Sequence, residues 1–157
     1  MQNFEKLIKK LLDHKVEFVL IGGFAATVHG VSLLTQDIDI CIPFTKENLE
    51  KIISALQDSN PIYRENKIPL SNSAEKLSKL KNLYLTTDFG SLDLLEQVAG
   101  LGPYQNLLPQ IIEIELFDHK CKVLNIDALI KAKQQMNRPK DKETIVQLEA
   151  IKDKLTS

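Results

Sequence analysis

The chain has 157 residues, with 20 Lys and Arg against 21 Asp and Glu, a net charge of -1 and 43% hydrophobic residues. That length supports one domain, 1–157, with a core of its own and leaves little room for a second. The near-neutral balance argues against a protein that grips duplex DNA mainly by neutralising phosphates, and against a polybasic membrane-surface protein.

In chain order, Phe4, Leu7, Ile8, Leu11 and Leu12 recur at helical spacing, with Glu5, Lys6, Lys9 and Lys10 on the other face. This predicts a helix over 4–12. Residues 17–21 (EFVLI) form a short apolar run ended by Gly22-Gly23, which predicts a buried strand. Residues 24–29 read as a short helix closed by Gly30. Residues 18–36 contain no Asp, Glu, Lys or Arg, but Gly22, Gly23, Thr27, His29, Gly30, Ser32, Thr35 and Gln36 make them too polar for a bilayer span. Residues 37–42 (DIDICI) alternate with period two and stop at Pro43, a strand pattern. Thr45 then caps a helix running to about Gln57.

Residues 59–81, with Pro61, Pro69 and a Ser-Asn-Ser cluster, carry the weakest pattern and are expected to be loop with short pieces of structure. Residues 83–87 and 91–95 flank Asp88-Phe89-Gly90 as a hairpin, and 111–117 and 120–124 flank Asp118-His119 as another. Gly100-Leu101-Gly102-Pro103 is expected to be a loop leading to a helical turn. Helices over 126–136 and 140–155 follow, separated by Asn137-Arg138-Pro139. Strands and hairpins interspersed with helices predict an α+β domain with a mixed sheet flanked by helices. Cys41 and Cys121 lie in apolar runs without zinc spacing, as expected of two reduced cysteines in a cytoplasmic protein; a disulfide is possible but not called for. The N-terminal residues lack the pattern of a signal peptide.

The chemistry concentrates between Gly22 and Asp39. On a strand, Asp37 and Asp39 project to one face while Ile38 and Ile40 take the other. Two adjacent carboxylates raise each other's pKa unless a cation neutralises them, and hard oxygen ligands suit Mg²⁺ or Mn²⁺. Gly22-Gly23 between strand and helix lets backbone N–H groups approach a phosphate. Glu113-Ile114-Glu115 has the same alternation with no glycine turn before it, and reads as a solvated strand face.

The order of hydrophobic strand, Gly22-Gly23, short helix and Asp37-Ile38-Asp39 resembles the polymerase-β-type nucleotidyltransferase superfamily. The resemblance implies a third carboxylate on a later strand, for which Asp93 is the match and Asp88 the fallback. Gly22 to Gly30 with Thr35-Gln36-Asp37-Ile38-Asp39, and Leu129 to Lys133 with Arg138-Pro139-Lys140-Asp141, narrow it. They are similar to the small single-domain enzymes related to the AbiE abortive-infection toxin (AbiEii-like). That group implies nucleotide-site roles for Lys133, Lys140 and Asp141. It implies metal-dependent transfer of NMP from an NTP to an acceptor that is a protein side chain, an RNA end or a small molecule. Asp37, Asp39 and Asp93 would bind the metal and Gly22 and Gly23 the phosphates. Leu33 stands where many relatives have Arg, and His29 is assigned to packing. The alternative is a non-catalytic nucleotide-binding or toxin–antitoxin-type module that works through a protein partner. Residues 1–118 carry 11 Lys and Arg against 16 Asp and Glu, and residues 119–157 carry 9 against 5. An acidic body and a basic C-terminal part would suit a metal–triphosphate complex lodged between them.

Overall fold

The computed structural model describes residues 3–156. Helix α1 (Phe4–Asp13) starts where the Asn3 side chain accepts a hydrogen bond from the Lys6 N–H, and it buries Leu7, Ile8, Leu11 and Leu12. Strand β1 (Val19–Ile21) is fully buried and runs directly into helix α2 (Gly22–Val28). That helix begins two residues before the sequence pattern suggests, because Gly22 at φ +69° makes the turn out of the strand without a loop. Strand β2 (Asp37–Cys41) follows, then helix α3 (Lys46–Leu56), capped by the Thr45 side chain accepting from Asn48 N–H.

The weakly patterned middle holds strand β3 (Ile62–Tyr63) and helix α4 (Ala74–Leu77). Strands β4 (Asn82–Thr87) and β5 (Gly90–Leu95) form the expected hairpin. Residues 100–103, expected to be loop, instead include β7 (Gly102–Pro103), which pairs with β6 (Gln97–Val98) as a separate two-stranded sheet. Two-residue strands have no periodicity for a sequence pattern to show. After helix α5 (Tyr104–Leu107) and a 3₁₀ turn, strands β8 (Ile111–Leu116) and β9 (His119–Leu124) pair around Phe117 and Asp118, both at positive φ. The chain closes with helices α6 (Ile126–Met136) and α7 (Pro139–Thr156). No described helix is long and apolar enough to cross a membrane.

Seven strands form one sheet in the order β3-β4-β5-β2-β1-β9-β8. β2 with β5 and β1 with β9 are parallel, and the other pairs are antiparallel, so the sheet is mixed as expected. Helix α2 packs on β1, β2 and α6, while α1 packs on α3 and β9. Cys41 and Cys121 are free and buried, and burial pushes their thiols up to about 12 and about 11, which keeps them unreactive.

Candidate active site

The alternation in β2 decides where its carboxylates go. Ile38 and Ile40 are completely buried on one face, so Asp37 and Asp39 stand half-buried on the other. β5 repeats the pattern, with Leu92 and Leu94 buried and Ser91 and Asp93 on the opposite face. The parallel register sets Asp39 beside Asp93 and Asp37 beside Ser91, and β4 continues the row by setting Tyr84 beside Asp93. Glu113 and Glu115 show the contrast. Both are exposed on edge strand β8, directly opposite Lys122 and Lys120, so each carboxylate already has a cross-strand cation in reach.

Asp37, Asp39 and Asp93 line one cleft of about 640 Å³, together with Gly23, Lys133, Arg138, Lys140 and Asp141. Burial pushes the Asp39 carboxyl up to about 7, helped by the charge and hydrogen bond of Asp93 and the charge of Asp37, against a weaker pull from Lys133. Among the described residues no three His, Cys, Asp or Glu side chains are drawn together as a ready-made metal cage. Asp88 lies in the β4–β5 turn and accepts a hydrogen bond from Asn60 Nδ2 at 2.7 Å. Of the two alternatives, Asp93 is therefore the one that lines the cleft with Asp37 and Asp39.

The facing wall comes from the α6–α7 junction. Asn137, at φ 52°, ends α6 in the left-handed conformation and turns the chain back, and Pro139 opens α7. Asp141 in the first turn then accepts from the Arg138 backbone N–H (3.1 Å), Nε (2.7 Å) and Nη2 (3.0 Å). Lys133 Nζ lies 3.6 Å from the same carboxylate. Asp141 is only 1% exposed and Lys133 8%. Burial raises the Asp141 carboxyl, but the hydrogen bonds of Arg138 and the charge of Lys133 outweigh it and hold the group below its usual value. Burial likewise pulls the Lys133 ammonium down, only partly offset by Asp141. Asp141 is thus spent internally, and its effect on the cleft is to hold Lys133 and Arg138 in place. Lys140 is exposed at the rim.

Two cations, Arg138 in the cleft wall and Arg64 on Asp93, had weak sequence signals. Arg138 belongs to the quoted Arg-Pro-Lys-Asp element, but nothing in its spacing showed that it would face the carboxylates. Arg64, just after β3, donates from Nη2 to Asp93 Oδ1 at 2.5 Å and to the Leu85 carbonyl at 3.0 Å. Leu33 and Leu34 lie at the rim, with Leu34 86% exposed. His29 is away from this cleft: its Nε2–H donates to the Leu124 carbonyl at 2.8 Å.

A side chain at Gly22 or Gly23 would force a neighbouring side chain to shift. A methyl group on Gly22 would overlap the Asp39 carboxylate, and one on Gly23 would come within 2.9 Å of Thr35 Cγ2. Gly22→Ala is expected to cost about 1–2 kcal/mol from left-handed backbone alone, roughly 2–8 °C in melting temperature for a chain of this size. An unchanged thermal melt would contradict this account of the turn.

The chain matches no protein-family model and no curated protein. Its fold has counterparts among solved structures. The lincosamide antibiotic adenylyltransferase LnuA, bound to lincomycin, superposes with a TM-score of 0.61 at 20% identity, over 96% of this chain and 98% of that one. The antibiotic-resistance factor ANT(2'')-Ia gives 0.59 at 12% identity, over 97% of this chain and 82% of that one. A candidate nucleotidyltransferase from Thermotoga maritima gives 0.56 at 17% identity, over 94% of each chain. Matched along nearly its whole length by these structures, the chain has the nucleotidyltransferase fold.

Proposed function

We propose that the cleft binds a nucleoside triphosphate and transfers its nucleoside monophosphate to an acceptor nucleophile, releasing pyrophosphate. One juxtaposition carries the reading: a row of carboxylates, Asp37, Asp39 and Asp93, faces Lys133, Arg138 and Lys140 across a single cleft. In this reaction the acceptor oxygen bonds to the α-phosphorus, and the bond from that phosphorus to the bridging oxygen of the β-phosphate breaks. The acceptor's proton passes to a carboxylate, a role we assign to Asp93. Gly23, which lines the cleft, and Gly22 just before it would offer backbone N–H groups to the β- and γ-phosphates. Lys133, Arg138 and Lys140 face the charge that accumulates on the departing pyrophosphate. Asp141 positions the first two.

A divalent ion, Mg²⁺ or Mn²⁺, would be held by Asp37 and Asp39, with Asp93 completing the set. When bound it supplies positive charge to the reacting phosphates. The donor chemistry fits such an ion: all three ligands are hard carboxylate oxygens, and burial with the neighbouring Asp93 and Asp37 carboxylates pushes Asp39 up to about 7, a crowding that a cation would relieve.

The test offers the purified chain each α-labelled NTP with Mg²⁺ or Mn²⁺ and a set of acceptors that includes RNA, a lysate and small hydroxylated compounds. Asp37→Ala and Asp39→Ala are each expected to lower label transfer by about 10³-fold or more. Transfer that persists unchanged in both variants would overturn the reading. A second reading, a non-catalytic nucleotide-binding or toxin–antitoxin-type module on the same fold, draws on Leu33 and the exposed Leu34, an apolar rim suited to a protein partner. It expects nucleotide binding without transfer, unchanged by either substitution.

A further inference from the structure

Arg64 comes from the part of the chain with the least sequence pattern, yet it ends on the third carboxylate of the row. Three observations describe how it is held. First, the ion pair with Asp93 uses one nitrogen, Nη2, which is shared with the Leu85 carbonyl. A guanidinium locked in place for structure commonly engages a carboxylate through two parallel bonds. Second, its Nε is buried with no hydrogen-bond partner, so this position leaves a donor unsatisfied. Third, the guanidinium carbon lies 5.8 Å from the centre of the Tyr84 ring, a half-exposed face that also lines the cleft. The ring offers the cation a place to rest if it leaves the carboxylate. The side chain of Arg64 is 34% exposed, so such a movement needs no opening of the core.

We propose that Arg64 is a resident cation that keeps the Asp93 end of the carboxylate row closed to a divalent ion until its guanidinium is released. The inference rests on the reading of Asp37, Asp39 and Asp93 as ligands of such an ion. It separates their roles: Asp37 and Asp39 are open to a first ion, whereas Asp93 is available only in exchange for Arg64. The charge of the row agrees with this order, since Arg64 balances one carboxylate and leaves two for the first ion.

The test is Mn²⁺ binding to the full-length chain without nucleotide, followed by electron paramagnetic resonance of the free ion and by calorimetry. Arg64→Gln is expected to bind one more Mn²⁺ per chain than wild type, or to tighten the weaker site by about tenfold or more, the worth of one competing charge-assisted hydrogen bond. Arg64→Lys, which keeps the charge but loses the fork, is expected to fall between the two. The double variant Arg64→Gln with Asp93→Asn is expected to lose the gain. Equal numbers of ions and equal affinities in wild type and a folded Arg64→Gln would overturn the inference, as would a gain that survives Asp93→Asn. If circular dichroism shows Arg64→Gln unfolded, the Lys variant decides, and unchanged binding there overturns the inference. Wild type that binds Mn²⁺ and transfers NMP, with Arg64 variants indistinguishable from it in ion binding, would sink this inference alone. No Mn²⁺ bound by any variant would sink the divalent-ion reading with it.

Discussion

Asp141→Asn is expected to lose about 3–5 kcal/mol of stability, the usual cost of removing one partner from a buried ion pair. In a thermal melt that corresponds to a fall of roughly 6–20 degrees. The reason lies in what the carboxylate holds: three donors of Arg138 and the ammonium of Lys133, which is itself buried. An amide can still accept a bond from Arg138 but brings no charge to either cation. The wild-type carboxyl is held below its usual value of 3.8. Its contribution is therefore complete above that value and disappears as pH falls through the lower, folded one. The acid limb of the wild-type stability curve should accordingly be shallower in Asp141→Asn. A variant as stable as wild type, with an unchanged acid limb, would mean the α6–α7 junction is held by something other than this carboxylate.

Asp39→Asn is expected to have the opposite effect on stability. With its carboxyl pushed up to about 7, folded Asp39 keeps a proton that the unfolded chain has already released above about pH 4. Stability from this group therefore falls as pH rises from about 4 to about 7, and stays low beyond. Asparagine cannot ionise, so at pH 8 the variant should be more stable than wild type by about 1–3 kcal/mol, discounted because the group is only half-buried. Below about pH 4 the two should nearly coincide. Mn²⁺ should raise the wild-type melting temperature at pH 8 and leave Asp39→Asn almost unmoved, while NMP transfer in the variant is lost. Carboxylates crowded together at a cost to stability are an ordinary stability–function trade. An Asp39→Asn protein that melts lower than wild type at pH 8 would show that the crowding is not a cost.

Much of this geometry was legible from the residues. The alternation in DIDIC and SLDLL fixes which face each Asp takes, and the glycine turn before the first of them set that pair apart from Glu113 and Glu115. The cross-strand lysines opposite those glutamates supply the physical reason. Arg64 was not legible because the turns around it, at Asn60 and Lys67, adopt positive φ without glycine. Its ion pair also spans 29 residues of sequence with no motif between the partners. Asp141 reads from sequence as favourable helix-start chemistry, and so it is, with its carboxylate accepting the Arg138 backbone N–H. Spacing could not show that the same carboxylate also anchors Lys133 from another helix.

The central claim, transfer of an NMP group, is tested most directly by following the two ends of the triphosphate in one reaction. Parallel incubations with α-labelled and γ-labelled NTP, the same acceptors and Mg²⁺ or Mn²⁺ distinguish the possible bond cleavages. The account expects the α-label to become covalently attached to the acceptor and the γ-label to leave wholly as pyrophosphate, in equal amounts. Attachment of the γ-label, or release of inorganic phosphate without any attached α-label, would contradict it.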